Sequence, residues 1–558
     1  MPADIAALKA RSERLFTDRR QWETEWVALA EMCCPRKVGV LIGAAPGQKV
    51  TTGRYTGLGE ESASLFASAI NGNLTNPSQK WQTLVMRQRP LNAINRVQNW
   101  LDEASLALSQ ALNASSFGTE VWEFYLDLAV FGTASMLMLE KRLAPPGEFG
   151  GFLFQTLQVG SYAIAENDEG AVDTLFREVR LSARAAYQWW GEGIGPEWLA
   201  LAIGGPGKKA EPDRMVKALH AIYPRTDRRS DRGDNRNMPW ASVYCDPERK
   251  RLIRESGFRR FPVLVTRWSK ASGEVYGRGP GHTAIPELET LNRAIELEMA
   301  AWALDIGPPL FEREGAVLGG TDWTPSARNI VRGDKNSVWT LQSGVRYDVS
   351  AIKKEELKKA IERAFFVDQV RALPPTDKPS YMTAFEVAKR YEETFRILGG
   401  GFGQMKSGLL QPTVEGGIGM LFAAGVLPPP PPEMAGGDID IEYEGPLARA
   451  QKASDLQALD LETACVLQTE PVVPGLKDNY RWDAIAQHRA RVRGIPASLM
   501  VGTDELVTKR QAQAEQQAKM QQMQALMETA KGMGDAAPMV KALQPTPLKR
   551  MRVKLRNQ

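Results

Sequence analysis

The chain has 558 residues, 43% of them hydrophobic and 24% charged, with a formal net charge of +4. This composition is ordinary for a soluble globular protein of about three or four domains, and the net charge is too small to indicate nucleic-acid binding by itself. Four cysteines without a C-x-x-C pair favour a reducing compartment, and no apolar run is long enough to span a bilayer, so we expect neither a disulfide framework nor a membrane partner.

In chain order, hydrophobic periodicity predicts that the first half of the chain mixes helices and strands. Helices are predicted at residues 5–32, 57–74, 92–114, 119–129 and 183–190. Strands are predicted at residues 80–87, 134–140, 152–159, 172–179, 220–224, 242–245 and 262–268. The polar, glycine-rich stretch 39–53 is expected to be mobile or extended. Together these elements predict an α+β fold.

The segment 273–309, GEVYGRGPGHTAIPELETLNRAIELEMAAWALDIGPP, joins a glycine turn to a long helix and follows the last of these strands. Strand, glycine turn and helix is also the layout of a nucleotide-binding fold. A dinucleotide fingerprint, however, needs a third glycine where His282 stands, and Pro280 lacks the N–H that would hold phosphate. A P-loop at 400–407 is disfavoured because Met405 replaces the glycine before the lysine. We therefore expect no nucleotide cofactor.

Residues 284–305 predict a helix about 33 Å long at 1.5 Å per residue. Pro286 is assigned to its first turn, where a missing N–H does no harm, and Gly307-Pro308-Pro309 ends it. The apolar residues recur every three or four positions and line one face: Ile285, Leu288, Leu291, Ile295, Met299 and Trp302. Such a helix either packs against several neighbours or is one core helix of a large monomer.

Beyond this helix, residues 310–349 are rich in glycine and short β-like runs, which predict a small module. A second helix is predicted at 350–370, with Ser350 as its N-cap. The proline-rich stretch 371–380 is expected to be a loop, and Thr383 with Glu386 forms a capping box that opens the next helix. Two helices of similar length therefore flank the small module.

Residues that commonly carry catalysis are few and scattered. The three histidines, His220, His282 and His488, lie far apart in the sequence, and none stands in a metal-binding frame. Paired carboxylates such as Glu60 and Glu61 lie in charge-alternating helical contexts that favour a solvated face. We therefore expect no catalytic residues, no bound metal and no cofactor. A hydrolase whose residues converge only in the folded chain stays open as an alternative.

Several short motifs, in their order and spacing, are similar to those of one known family over nearly the whole chain. They are LTNP at 74–77 followed by Trp81, FGT at 131–133, ESGF at 255–258, YGRGPG at 276–281 followed by Leu291-Asn292, MTAFE at 382–386, GVLP at 425–428 and YEGPLA at 443–448. The chain resembles the head-to-tail connector, or portal, proteins of short-tailed, T7-like bacteriophages (podoviruses).

This resemblance implies a predominantly helical α+β portal-protein fold with wing, stem, clip and crown regions, assembled as a ring. Mapped onto this sequence, it implies the wing at 1–282, the first stem helix at 283–305, the clip at 306–349, the second stem helix at 350–370, the tunnel loop at 371–381, a wing helix and return strand at 382–445, C-terminal wing and crown helices at 446–530, and a basic tail at 531–558 that either meets DNA or is disordered.

The resemblance further implies a ring of twelve identical subunits at one capsid vertex of the virion, assembled in the cytoplasm of the host bacterium. Its axial channel would pass double-stranded DNA during genome packaging and ejection. The implied partners are other copies of the chain, double-stranded DNA, the terminase packaging motor, a tail adaptor protein, and the scaffold and major capsid proteins. No membrane and no enzymatic activity are implied. Another virion assembly protein, of the tail or the capsid, is the alternative.

A DNA channel is expected to hold few cations, since every phosphate contact adds affinity that resists sliding. The candidates for DNA contact in the tunnel loop are Arg371 and Lys378. The candidates for partner docking in the clip are Arg313, Arg328, Arg332 and Lys335.

Two glycine clusters are predicted to be hinges. The first, at a sharp bend between wing and stem, comprises Gly277, Gly279 and Gly281. The second, where the family continues a long helix, comprises Gly399, Gly400 and Gly401. Because each glycine costs a helix about 1 kcal/mol relative to alanine, we expect a break or kink near residues 399–403.

Overall fold

The fold is taken from a computed structural model of the chain. The structure describes residues 4–44, 48, 53–77, 80–141, 149–205, 209–228, 234–306, 310–312, 332, 338–340, 347–370, 399–443, 446–471, 473, 475–492 and 503–532.

Helices are the main elements of the described residues. Their bounds are α1 Ile5–Cys33, α2 Val38–Leu41, α3 Leu58–Leu74, α4 Asn95–Asn113, α5 Phe117–Phe131, α6 Ala183–Trp190, α7 Pro196–Ile203, α8 Pro280–Ile306, α9 Tyr347–Ala364, α10 Val367–Val370, α11 Gly399–Met405, α12 Gln411–Ala423, α13 Pro446–Thr469, α14 Trp482–Val492 and α15 Thr503–Gly532. A π-helical segment, Lys406–Leu410, joins α11 to α12.

The strands form antiparallel sheets. Their bounds are β1 Gln82–Met86, β2 Thr133–Glu140, β3 Phe152–Leu157, β4 Tyr162–Glu166, β5 Val172–Ser182, β6 Met215–Pro224, β7 Trp240–Asp246, β8 Arg251–Phe258, β9 Val263–Arg267, β10 Leu310–Glu312, β11 Val338–Thr340 and β12 Ile439–Tyr443. Strand β2 lies between β3 and β9, and β4 to β8 form a five-stranded meander in chain order. Two further pairs join β1 to β12 and β10 to β11. The fold is therefore α+β and predominantly helical, as predicted.

Helix α5 lies at the centre of the hydrophobic core because nearly every side of it is apolar. All its residues from Phe124 to Phe131 are buried. Helix α3 packs against it, and so do β2 and β3. A helix that is hydrophobic all round is stable only when it is covered in this way. The polar exception in this stretch, Asp127, contacts the ammonium group of Lys37.

The five-stranded meander is buried on both faces. Leu219 and Val243 pack with the first turns of α1 on one face. Their chain neighbours Ala218 and Tyr244 point to the opposite face and pack with α6 and α7. This alternation follows from the two-residue period of a strand.

The predicted elements of the first half are confirmed within a few residues at most positions, and the helix at 183–190 is found with the same bounds. Strands β4 and β8 and helices α2 and α7 were missed, and the stretch 39–53, expected to be mobile or extended, begins inside α2. The reason is clearest for β8, which lies at the edge of the meander and carries three charged residues among eight: Arg251, Arg254 and Glu255. Edge strands of this kind show little of the hydrophobic alternation on which the prediction rests.

Both long helices flanking the small module begin earlier than predicted. Helix α8 starts at Pro280, so Pro286 lies inside it and not in its first turn. Helix α9 starts at Tyr347, so Ser350 is not its N-cap. It also ends at Ala364, before the predicted 370, because Phe366 adopts a left-handed backbone with φ of 56° and separates α9 from α10.

The break expected near residues 399–403 is not found there. Residues Gly399–Met405 form an unbroken α-helix, and the departure from α-helical geometry falls at the following π segment. Side-chain packing explains two of the glycines. A Cβ atom on Gly401 would lie 2.6 Å from the indole ring of Trp268, and one on Gly408 would lie less than 3 Å from the carbonyl oxygen of Val265. The glycines thus let the helix approach β9 closely.

No described helix combines the length and hydropathy that crossing a bilayer requires. The proposed region boundaries stay predictions. So do the Thr383–Glu386 capping box, which lies outside the described residues, and the basic tail, of which the structure describes only residues 531 and 532.

Candidate assembly site: the glycine joint and helices α8 and α9

The turn before α8 packs backbone against backbone with the end of α5. We call Gly132, Gly277, Gly279 and Gly281 the glycine joint. Gly132 has φ of 70°, caps α5, and donates its N–H to Leu128 O at 3.1 Å. A Cβ atom on Gly132 would lie 2.5 Å from Gly277 O and closer still to Gly279 N. Four glycines are therefore needed because the two segments leave no room for side chains.

Hydrogen bonds fix the joint to the neighbouring strands. Gly277 N–H donates to Thr133 Oγ1 at 2.8 Å, and Trp268 N–H donates to Gly132 O at 2.9 Å. Arg278 and Ser269 exchange two backbone hydrogen bonds of 2.7 and 3.1 Å. Because these amides already have partners inside the chain, they are not available to hold a phosphate group. The geometry is that of a packed bend, and the proposed hinge at Gly277, Gly279 and Gly281 stays a prediction.

His282, in the first turn of α8, closes the joint. Its side chain is only 4% exposed, and Nδ1 accepts the Gly279 N–H at 3.1 Å. The nearest carboxylate oxygen, from Glu25, is 3.9 Å from Nε2. Burial is the main cause that lowers the pKa of His282 to about 4, and the positive charge of Arg278 adds to it. The imidazole is therefore neutral near pH 7, as its acceptor role at Nδ1 requires.

Aromatic side chains hold α1 against the joint. The Tyr276 ring lies 5.1 Å from the Trp26 ring and 5.9 Å from the Trp22 ring, measured between centroids. Its hydroxyl accepts the Ile164 N–H at 3.3 Å, which links the joint to β4. The Arg278 guanidinium lies 4.8 Å from the Trp22 ring. The bend is thus fixed by α1, β4 and α5 together.

A buried charge cluster ties the end of α1 to α5. The Lys37 ammonium contacts Asp127, whose side chain is fully buried, and lies 2.9 Å from Glu123. Arg36 pairs with Glu123 at 2.6 Å. Burial acts to lower the pKa of Lys37, but the two carboxylates outweigh it and hold that pKa above its ordinary value. Lys37 therefore stays charged and balances the buried carboxylate.

Asn292, in the fourth turn of α8, holds an extended segment against the helix. Its Nδ2 donates to Gly53 O at 2.7 Å, and its Oδ1 accepts the Tyr55 N–H at 2.6 Å. From the sequence, Asn292 was noted only as part of the motif YGRGPG followed by Leu291-Asn292. A signal was present, because an asparagine between the buried Leu288 and Leu291 and the apolar Ile295 interrupts an apolar face and needs polar partners.

Helices α8 and α9 pack side by side. Leu291 near the start of α8 and Ile361 near the end of α9 are both fully buried in the main core. Further from the core, Lys354 Nζ of α9 lies 2.5 Å from Glu298 Oε2 of α8. The two helices therefore leave the core as an antiparallel pair, with the small module between their far ends.

The apolar stripe of α8 is covered at one end and bare at the other. Leu288 and Leu291 are fully buried, whereas Met299, Trp302 and Ile306 are 52%, 61% and 84% exposed. All residues of 297–306 are apolar except Glu298 and Asp305. Helix α9 differs, because its exposed residues are mostly charged, with Ile352 as an apolar exception. The far half of α8 has the sequence of a buried helix but lacks cover among the described residues.

The predicted cationic sites fall mostly outside the described residues. Arg371, Lys378, Arg313, Arg328 and Lys335 all lie there, and Arg332 is described as an exposed residue. The pairing of β10 with β11 gives the predicted small module a two-stranded ladder, with Leu310 opposite Thr340. The proposed roles of all six cations stay predictions.

His220 is the described histidine with the most polar contacts. It stacks on Tyr244 at a centroid distance of 3.9 Å, accepts a hydrogen bond from Arg177, and lies 3.0 Å from Ser242 Oγ. All four side chains are buried within the meander. Over the described ranges, no three histidine, cysteine or acidic side chains are grouped so that they could hold a metal ion.

Two phage proteins are similar to this chain over most of their length. The probable portal protein of Bordetella phage BPP-1 is 27% identical over 524 residues, covering 92% of each chain. The portal protein of Salmonella phage epsilon15 is 24% identical over 531 residues, covering 91% of each chain. Both are named as portal proteins, and the comparisons support a structural role in the phage particle rather than an enzymatic one.

Two solved structures align with the chain at low similarity. One is the virion of a native gene transfer agent particle, with a TM-score of 0.32 and 11% identity; the alignment covers 74% of this chain and 89% of the other. The second is the neck of an empty gene transfer agent particle, with a TM-score of 0.33 and 12% identity; the alignment covers 76% of this chain and 94% of the other. At these TM-scores, the likeness carries no argument about this chain.

One family matches nearly the whole chain. The family described as bacteriophage head to tail connecting protein matches residues 6–501, which contain the glycine joint and helices α8 and α9. The motifs noted in the sequence lie inside this match. The chain belongs to the family of bacteriophage head-to-tail connecting proteins.

Proposed function

We propose that this protein is the portal subunit of a short-tailed phage and forms a closed ring of twelve copies at one capsid vertex. The ring channel passes double-stranded DNA during packaging and ejection. The ring also provides a docking platform for the terminase motor and the tail adaptor, and contacts scaffold and major capsid proteins. The protein assembles in the bacterial cytoplasm and remains in the virion.

The bare half of α8 is the observation that supports this proposal most. Met299, Trp302 and Ile306 are large apolar side chains, and each is more than half exposed. Burying a side chain of this size contributes about 1.5–3 kcal/mol. A closed ring repeats the same contact for every copy, which suits a chain that exposes one apolar helix segment.

The tunnel loop and the clip are assigned from the family alone. In this proposal, Arg371 and Lys378 face DNA in the channel. Arg313, Arg328, Arg332 and Lys335 contact partner proteins at the clip. A small number of cations is consistent with a conduit, because a DNA strand must slide past them.

Negative-stain electron microscopy of the purified full-length chain tests the proposal. Rings with a central hole are expected. Tubes, sheets or single copies would instead favour a tail or capsid component. An assay of nuclease activity and nucleotide turnover tests the hydrolase alternative, and the portal proposal predicts neither activity.

A further inference from the structure

The two-stranded sheet of β1 and β12 has one edge that is covered. Arg87 N–H donates to Asp438 O at 2.9 Å, and the ladder bonds recur at every second residue from there. The backbone groups of Met86 and Ile439 therefore point away from the opposite strand. On the β1 side, Asn92 occupies this position, because its side chain bonds Met86 N–H at 2.8 Å and Met86 O at 2.9 Å. Helix α4 also packs on β1.

The outer edge of β12 has no such cover. Its outward backbone groups belong to Ile439, Ile441 and Tyr443. The Ile441 N–H donates to the neighbouring Asp440 carboxylate at 2.8 Å. In the part of the chain that the structure describes, β12 pairs with β1 and with no other strand. An edge of this kind is a template for a further strand.

The side chains of β12 alternate between acidic and apolar. Residues 438–444 read DIDIEYE, with a carboxylate at every second position. Asp440 and Glu442 are exposed, whereas Ile441 between them is only 7% exposed. One face of the strand is therefore negative and the other packs on the core.

One further segment of the chain has the opposite charge in the same pattern. Residues 550–556 read RMRVKLR, with four cations at alternate positions and Met551, Val553 and Leu555 between them. Strict alternation over a stretch of this length is typical of a strand with one apolar face. The segment belongs to the basic tail and lies outside the described residues.

We infer that segment 550–556 adds to the outer edge of β12 as a third strand. Main-chain bonds would then satisfy the outward groups of β12, and the cations would lie beside its carboxylates. With the two segments centred on one another, the two central carboxylates face the two central cations in either strand direction. A slip by one residue would turn the cations toward the core, so the alternation also specifies the register.

Other occupants of this edge fit less well. The β12 edge of a second copy would place carboxylates beside carboxylates, which is unfavourable. Double-stranded DNA is the competing partner for the four cations of 550–556, but binding to phosphates does not call for an apolar residue between each pair of them. The alternation therefore favours β12 over DNA.

Hydrogen–deuterium exchange tests the inference. In a chain that ends at Leu548, residues 439–443 should exchange at least about ten-fold faster than in the full-length chain. Exchange in β1 should stay the same, because Asn92 covers its outer edge. A control chain keeps the composition of 550–556 but places its four cations before its three apolar residues. In that chain, 439–443 should exchange as fast as in the shortened one, since the alternation is lost.

Charge exchange tests the pairing itself. Asp440→Lys/Glu442→Lys makes the exposed face of β12 positive, and Arg552→Glu/Lys554→Glu makes the centre of the segment negative. Each double variant alone should lose the protection of 439–443, because like charges then lie side by side. The chain with all four changes should regain it. A four-change chain that exchanges as fast as the shortened chain would contradict the pairing.

Two other results would overturn the inference. Equal exchange in 439–443 with and without the segment would show that β12 does not bind it, and loss of salt-dependent binding to a short DNA duplex in the same shortened chain would make the segment a DNA contact. Full protection by the reordered segment would show attraction between charges without strand addition.

Carbodiimide cross-linking examines the unaltered chain, because this reagent joins a lysine to a carboxylate that it contacts. Lys554 should be joined to Asp440 or Glu442, within one chain or between two copies. Cross-links from Lys554 to other carboxylates only would count against the third strand. The inference does not require a ring, so its failure would leave the portal proposal intact, and a chain that forms no ring could still protect 439–443.

Discussion

Replacing Gly132 by alanine is the sharpest test of the glycine joint. The new Cβ would lie 2.5 Å from Gly277 O and closer to the backbone of Arg278 and Gly279, so the backbone itself has to move. Gly132 also has φ of 70°, where an L side chain costs about 1–2 kcal/mol. Overpacking adds about 1–3 kcal/mol, so the variant is expected to lose about 2–5 kcal/mol of unfolding free energy.

Gly118→Ala is the control for this variant, because Gly118 lies in the same helix and a Cβ there would meet no atom within 4 Å. The unfolding midpoints of the wild type, Gly132→Ala and Gly118→Ala are compared in guanidinium, with tryptophan fluorescence as the signal and one protein concentration throughout. The midpoint of Gly132→Ala should fall, and that of Gly118→Ala should stay or rise by the equivalent of up to about 1 kcal/mol. A Gly132→Ala midpoint equal to that of the wild type would refute the close-packed joint.

Three further changes test the contacts around the joint. Folding favours the neutral imidazole of His282, because its pKa falls from 6.5 to about 4. The resulting gain in unfolding free energy is fully present above pH 6.5, and about 3 kcal/mol of it is lost as the pH falls through 4. His282→Gln should flatten this dependence of stability on pH, measured by urea unfolding. Lys37→Met leaves the Asp127 carboxylate buried without a cation and should lower the unfolding free energy in urea by about 3–5 kcal/mol. The double variant Lys37→Met/Asp127→Leu should recover most of this loss, and a double variant no more stable than the single one would contradict the pairing. Asn292→Leu removes two hydrogen bonds to the segment at Gly53 and Tyr55, so trypsin should cut after Arg54 faster than in the wild type, and an unchanged rate would count against the contact.

The helices could be predicted from the sequence where the helical period of hydrophobic residues dominates. The apolar spacing of α8 and the hydrophobic periodicity of α1 are local signals, and the ends of both helices were found within one residue of the prediction. The start of α8 is harder to predict, because Pro280 begins this helix only through the packing of the joint. Periodicity reports which face is apolar, but it does not report what covers that face.

Only one of the two segments of the glycine joint could be predicted from the sequence. The cluster of Gly277, Gly279 and Gly281 is visible as a motif, but its contact, Gly132, stands far earlier in the chain, in an ordinary helix-ending position. Lys37 and Asp127 are likewise separated by 90 residues. Contacts of this kind arise when the chain folds, and a single sequence carries no local trace of them.

The native mass of the full-length assembly is the most direct test of the portal proposal. A ring of twelve copies of the 61.7 kDa chain has a mass of about 740 kDa, which is separated from rings of eleven or thirteen copies by the mass of one chain. The proposal predicts one dominant species at that mass. A spectrum that contains only the single chain, or a continuous series of open oligomers with no closed species, would contradict it.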